Sequence, residues 1–305
     1  MAAVKKEHKA YIGLALGTLI IGLSFVFVKI ALRTANTSDL LAHRFSAAAI
    51  GMLMLYASGK VKFPQITFRQ MLPLLGLSLP YPLLFFTLQT EGLKFTPASE
   101  AGILSALMPM LTVIAASLFL KEKSNFLQII SILLSVAGIV FILLKSGLEA
   151  GSNNLKGNLL ILLSVVSIVI YYTLGRKINK NHNTLDITFF MTLTACIVFN
   201  LTAFFSHVQA GTINHFLEPL KKSSFLWSVI YLGVLSSFLT SFFSNYALTV
   251  IPASQVAIFN NLSPIITIFG GILFLQERLY AFQVLGGLLV LVGVVGTLVF
   301  REKNK

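Results

Sequence analysis

The fold class this sequence predicts is an all-α integral membrane protein: ten transmembrane helices arranged as two inverted five-helix repeats. Three observations predict it. The 305-residue chain is 56% hydrophobic and only 11% charged, with a mean hydropathy of +0.87, a composition whose main solvent is lipid rather than water. Apolar runs of the roughly twenty residues that a helix needs to cross about 30 Å of hydrocarbon recur along its length. The phrase FTPASEAGIL at 95–104 also returns as VIPASQVAIF at 250–259.

The runs read as spans at 11–32, 38–58, 69–91, 97–120, 125–144, 156–177, 185–206, 224–248, 253–275 and 281–300. The first follows the basic start MAAVKKEHKAYIGLALGTLIIG. Its apolar part is too long for a signal peptide and lacks a small-residue cleavage site, so it reads as a retained helix. Spans one to five form a first repeat over 1–147 and spans six to ten a second over 154–305, joined by the polar linker SGLEAGSNN. The spacing holds without a gap through Pro109 and Pro264, Thr112 and Thr267, Glu122 and Glu277, Gln128 and Gln283, and Gly138 and Gly293. About a third of positions agree over roughly fifty residues, the mark of an internal repeat. Five is odd, so the second copy enters the membrane from the opposite side. Inverted repeats with a substrate held between them near the midplane are an architecture of secondary transporters.

A net charge of +13 on so little soluble surface points to loop topology rather than to nucleic acid. With the N-terminus inside, Lys5, Lys6, Lys9, Lys60, Lys62, Arg69, Lys121, Lys123, Arg176, Lys177, Lys180, Arg301, Lys303 and Lys305 gather on one side. The other side holds about half as many, so both termini are expected in the cytoplasm of a multi-pass plasma-membrane protein. Cys196 is the only cysteine and lies within a span. No intramolecular disulfide, cysteine-based metal site or cofactor is expected, and the expected partners are a small-molecule substrate and the lipid bilayer.

Several stretches carry a family resemblance: TLIIGLSFVFVKIAL, HRFSAAAIG, PASEAGILSALMPMLTVIAASLFLKEK and PASQVAIFNNLSPIITIFGGILFLQER. They resemble the EamA family of the drug/metabolite transporter superfamily over essentially the whole chain. The resemblance implies ten helices in two inverted repeats, a central cavity, alternating access, and export of amino acids or other small metabolites. These motifs are mainly structural and identify the fold better than the substrate.

Candidate site residues follow from polar groups inside spans. Pro109 and Pro264 lack an N–H and free the carbonyls four residues earlier, at Ser105 and Asn260. Helical spacing puts Ala101, Ser105, Met108 and Thr112 on one face, and Asn260, Ser263, Thr267 and Gly271 on its counterpart. These faces read as kinked helices lining a cavity, or as close packing through small residues. Asn261 borders the same cavity at its edge. Glu100 is the acidic residue placed within a span, which makes it a candidate proton carrier or charge site. Its alternative is to complement a helix N-terminus, with Thr96 as cap, or to neutralise Lys29 and Arg44 from spans one and two. Lys29 is a candidate for a substrate carboxylate, or a lysine snorkelling to headgroups. Tyr81 in the third span, Tyr171 beside Ser164 and Ser167 in the sixth, and Thr240 and Ser244 in the polar eighth are candidate substrate contacts. Glu122 and Glu277 read as caps for the helix that follows each. Gly13 and Gly17 read as a packing face.

No H-E-x-x-H, G-x-S-x-G or GxxxxGK[ST] occurs, so neither metal hydrolysis nor ATP-driven pumping has its parts. A channel suits proline-broken inverted repeats less well than alternating access does. Cationic-drug efflux is the alternative transport reading. Small relatives in the superfamily, as the resemblance implies, use a first-helix glutamate for it, and the first span here has no acidic residue.

Overall fold

In hydrocarbon every backbone N–H and C=O must be satisfied within the chain, so a sequence this apolar has helices or closed barrels available to it, and this one takes helices. The computed structural model describes residues 2–59, 68–120, 125–149, 152–178, 184–240, 243, 247 and 262–300. The helices are α1 (Ala2–Leu32), α2 (Thr37–Ala57), α3 (Phe68–Ser78), α4 (Phe85–Phe95), α5 (Ala98–Ser105), α6 (Met108–Leu120), α7 (Phe126–Glu149), α8 (Ser152–Ile178), α9 (Thr184–Ala210), α10 (Ser223–Ile230), α11 (Ser263–Leu275) and α12 (Ala281–Val299). Wider π turns replace the α pattern at Leu79–Leu84 and Tyr231–Leu239.

Among the described residues, six stretches are long and apolar enough to cross a membrane: Glu7–Leu32, Thr37–Ala57, Met71–Phe95, Phe126–Lys145, Asn153–Leu174 and Leu185–Ala210. They coincide with expected spans one, two, three, five, six and seven. The pair Ile213–Lys221 and Ser223–Leu239, bent by 88°, is a further candidate, and Ser263–Leu275 and Ala281–Thr297 are shorter. The fourth expected span is not one helix. It breaks between Ser105 and Met108, where the missing N–H of Pro109 falls in the first turn of α6. Pro264 likewise stands in the first turn of α11. Each proline thus stands in a first helical turn, and residues 251–261, which precede the second, lie outside the described residues. The linker is also shorter than expected, because α7 runs to Glu149 and α8 starts at Ser152. Polar residues beyond an apolar run add helical turns where water or headgroups can solvate them.

Unlike that of a water-soluble protein, the exterior is apolar, and polar side chains share the interior with an apolar core. Leu72, Phe126 and Leu273 are at least 70% exposed, while Ser78, Ser99, Glu100, Ser135, Asn158, Ser228 and Thr297 are buried. Lipid tails match leucine, so helices associate through small residues and hydrogen bonds instead of apolar burial. Thus α4 meets α8 where a Cβ on Gly92 would lie 2.9 Å from the carbonyl oxygen of Gly157, and α7 meets α12 through Gly138 and Gly286 in the same way. Ser135 donates to the carbonyl of Val290 (3.2 Å) across that second contact. Gly13 and Gly17 pack beneath the ring of Phe243.

Candidate functional site

Among the polar centres that the described residues form inside this apolar shell, two hold candidate site residues or border them. The first forms where α2, α4, α8 and the two π stretches meet. Asn36 caps α2 by accepting the N–H of Asp39 at 2.8 Å. Two turns later Arg44 points inward, with 2% of its surface exposed. The sequence LPYPLL at 79–84 cannot stay α-helical, because Pro80 and Pro82 donate no hydrogen bond. Tyr81 takes extended angles (φ −146°, ψ 124°). The Pro80 carbonyl, which also accepts the Phe85 N–H, accepts the Ser167 hydroxyl of α8 at 2.7 Å.

This break turns Tyr81 into an aromatic cluster. Its ring centroid is 5.0 Å from that of Tyr171 and 5.5 Å from those of Phe85 and Phe86. The Arg44 guanidinium carbon stands 4.1 Å from the Phe86 centroid and 5.9 Å from that of Phe45, within cation–π range. From the opposite side, Arg44 Nε and Nη2 donate long hydrogen bonds of 3.4 and 3.3 Å to the Ser237 hydroxyl. Gly233, in the same π stretch as Ser237, seats it against α2: a Cβ there would lie 2.5 Å from the Arg44 carbonyl oxygen.

The second centre is Glu100, in the first turn of α5 and 0% exposed. Its carboxylate accepts the Asn158 amide at 2.6 Å and the Gln283 amide at 2.6 Å, with the Asn154 amide at 3.4 Å. Glu100 therefore ties α5 to α8 and α12. Its partners are held in turn: Asn158 accepts the Thr96 hydroxyl at 3.0 Å, and Gln283 accepts the Tyr280 N–H at 2.9 Å. Next to it, Glu277 accepts the N–H groups of Ala98 (2.7 Å) and Ser99 (2.8 Å) and the Ser99 hydroxyl (2.7 Å). Glu277 reaches this position because Gln276 closes α11 in the left-handed conformation (φ 56°). The expectation that Glu277 caps its following helix is corrected. It caps α5, where orphan N–H groups and the positive end of the helix favour a carboxylate, while Tyr280 and Gln283 cap α12 as a capping box. Glu122 lies outside the described residues.

Tyr81 and Tyr171 are brought together. Thr240 is buried at the end of the second π stretch, where it donates to the Ser236 carbonyl at 2.8 Å. Ser105 is half-buried at the break after α5 and donates to the Ala101 carbonyl at 2.8 Å. Asn260, Asn261 and Ser244 lie outside the described residues. Lys29 donates to the carbonyls of Leu93 (3.0 Å) and Thr96 (2.8 Å), closing the C-terminal end of α4 as a cation does at a helix C-terminus. Lys29 is thus hydrogen-bonded to backbone rather than snorkelling to headgroups. Nor do Lys29, Arg44 and Glu100 form a charge cluster: each has the separate partners given above. Thr267, assigned by spacing to the cavity face, donates to the Gly22 carbonyl at 2.8 Å and packs on Gly102, so this part of the face is helix packing. Tyr231 stacks on Phe27 at 3.8 Å and donates to the Ile20 carbonyl, and Trp227 is exposed. Arg44 and Phe86 were not singled out as site residues from sequence, although an arginine inside the second span was the available signal, while Ser237 belongs to the polar face of the eighth span expected to meet the cavity.

A groove of about 450 Å³ bordered by Ile197, Leu201, Phe204 and His207 opens among exposed apolar side chains. Two further lining residues, Asn200 and Phe216, contact Ser46 and His43 of α2.

The sequence model of the EamA-like transporter family matches residues 8–144 and 155–299. Among curated proteins, the uncharacterized transporter YcxC of Bacillus subtilis (strain 168) is 41% identical over 98% of this chain and 96% of its own. The uncharacterized transporter YetK of the same organism is 26% identical over 98% and 90%. An uncharacterized transporter of Archaeoglobus fulgidus is 28% identical over 94% and 96%. A solved crystal structure, 14% identical, superposes with a TM-score of 0.62 over 96% of this chain and 98% of that one, a likeness of fold.

Proposed function

The chain belongs to the EamA-like transporter family, and from that premise we propose a secondary active transporter that exports small metabolites, amino acids and related compounds among them, by alternating access. The observation that carries this reading is a pair of stretches, one in each half, that leave the α pattern beside Arg44. Leu79–Leu84 lies in the half at 1–147 and leads directly into Phe86, while Tyr231–Leu239, in the half at 154–305, carries Ser237; Phe86 and Ser237 both contact Arg44. Discontinuous helices from two repeats, meeting around an interior polar group, are how secondary transporters build a midplane site. Uptake and efflux in proteoliposomes against an amino-acid and metabolite panel, with cationic drugs as a separate arm, tests the proposal. Accumulation of cations alone would favour drug efflux, and turnover of substrate without movement would favour an enzyme.

The proposed orientation places both termini in the cytoplasm of a plasma-membrane protein. Reporter fusions at Lys305 are expected to be active inside, and an outside signal would reverse the assignment.

Proton coupling through Glu100 forms the last part of the proposal. Glu100→Gln removes the titratable charge and is expected to abolish acceleration by an imposed pH gradient while substrate exchange persists. A fully retained response would limit Glu100 to joining α5, α8 and α12. The amides that face it all donate, so the variant is also expected to lose about 1–3 kcal/mol of stability, the cost of an unmatched buried donor. Rates are therefore compared per folded transporter.

A further inference from the structure

A buried guanidinium needs a counter-charge. Arginine keeps its proton in protein interiors, and an ionisable side chain inside a membrane protein persists where it pairs with something or serves the transported species. Arg44 is about 10 Å along α2 from Thr37, at 1.5 Å per residue, and almost wholly buried. Its protein partners are the Ser237 hydroxyl and the faces of Phe86 and Phe45. Among the described residues no carboxylate lies within ion-pair distance of it.

Of the chain's ten acidic residues, five have partners away from Arg44 among the described residues. Asp39 meets His207 at 2.9 Å, Glu91 meets Lys94 at 2.8 Å, and Glu218 meets His215 at 2.8 Å. Glu100 is held by amides and Glu277 by the α5 N-terminus. Glu7 lies near the start of α1, Glu149 ends α7, and Asp186 lies in the first turn of α9. Glu122 and Glu302 lie outside the described residues, in the polar stretches that follow α6 and α12 in sequence. The stretch 241–261, which continues the chain beyond the Ser237 segment, contains no Asp or Glu at all.

We propose that the counter-charge of Arg44 is the carboxylate of the transported solute, which makes the substrate a small monocarboxylate with a flat apolar or aromatic body. This rests on the transport reading above and names the substrate class for that site. The planar fork of the guanidinium matches a carboxylate through two parallel N–H···O bonds. Tyr81, Tyr171 and Phe86, in contact with one another, form an aromatic cluster beside the guanidinium against which an apolar body would pack. One buried cation balances one negative charge. A phosphate monoester, with a charge of about −1.5 to −2, would leave excess charge in a low-dielectric site. An amino acid adds an ammonium group for which the described residues around Arg44 offer no carboxylate.

The test uses full-length protein purified in detergent and reconstituted in liposomes. The probes are phenylacetate and 3-phenylpropanoate, set against phenylalanine and phenethylamine. Thermal shift reads binding and counterflow reads transport, for wild type, Arg44→Lys and Arg44→Gln. In wild type the two acids are expected to stabilise most, phenylalanine less, and the amine least. Arg44→Gln is expected to weaken acid binding by about ten- to a hundredfold and to erase the preference for acid over amine. Arg44→Lys, which keeps the charge without the fork, falls between, and it carries the test should the glutamine variant not fold. Equal acid binding in wild type and variant, a preference for the amine or the amino acid, or no acid binding at all overturns the proposal. Acid binding that depends on Arg44 without counterflow would instead sustain the site and count against transport.

Discussion

Glu277→Ala is expected to lower the thermal midpoint of the purified protein more than any other single carboxylate removal. The side chain joins the end of α11 to the start of α5 through three hydrogen bonds, two of them to helix N–H groups that have no partner within their own helix. Ala98 and Ser99 are buried, so water cannot replace the lost acceptor. At about 1–3 kcal/mol for each buried donor left unmatched, the loss should reach about 3 kcal/mol or more. Ser99→Ala removes the hydroxyl bond alone and is expected to cost about 1 kcal/mol. Comparable small losses in both variants, read by thermal unfolding in detergent, would mean that Glu277 is not the cap of α5.

Gly233→Val is expected to abolish transport and lower stability together. A Cβ at this position would lie 2.5 Å from the Arg44 carbonyl oxygen, 2.7 Å from the Ala47 Cβ and 3.0 Å from the Ala48 nitrogen. Two of these are backbone atoms of α2 and have no rotamer to escape into, so the Tyr231–Leu239 stretch must move away from α2. Overpacking of this kind costs about 1–3 kcal/mol or more. It also carries Ser237 off the guanidinium. Gly76→Val is the matched control, because nothing lies within 4 Å of a Cβ there. Counterflow and thermal unfolding on both variants decide the point, and a Gly233→Val protein that transports normally would refute the close seating of this stretch on α2.

Much of the fold was legible because membrane crossing is a one-dimensional property. Apolar length alone placed the six stretches that coincide with expected spans. Helix breaks were less legible. Pro109 marks a break and Pro264 a start, yet a proline in the first turn and one in a helix interior look alike in sequence and differ in whether a preceding turn exists to be broken. Tyr81 and Tyr171 were named from sequence as candidate substrate contacts, and their contact with each other needed the extended residue that LPYPLL imposes.

The charged residues show where one-dimensional reading ends. That Glu100, Lys29 and Arg44 lie inside spans was visible from position. What each one meets was not, because partners come from distant segments: Glu100 from Asn158 and Gln283, Lys29 from the end of α4, and the start of α5 from Glu277. By itself the sequence determined an apolar helical chain of the EamA type, with a repeated PAS…P…E segment and a few ionisable groups inside it. Tertiary structure alone decided that Glu100, Lys29 and Glu277 meet amides, carbonyls and a helix N-terminus, while Arg44 meets a hydroxyl and aromatic faces. The physical reason is that burying charge is costly everywhere in the bilayer, so composition reveals that a charge is present, but its compensation is set by three-dimensional contacts of a few ångströms.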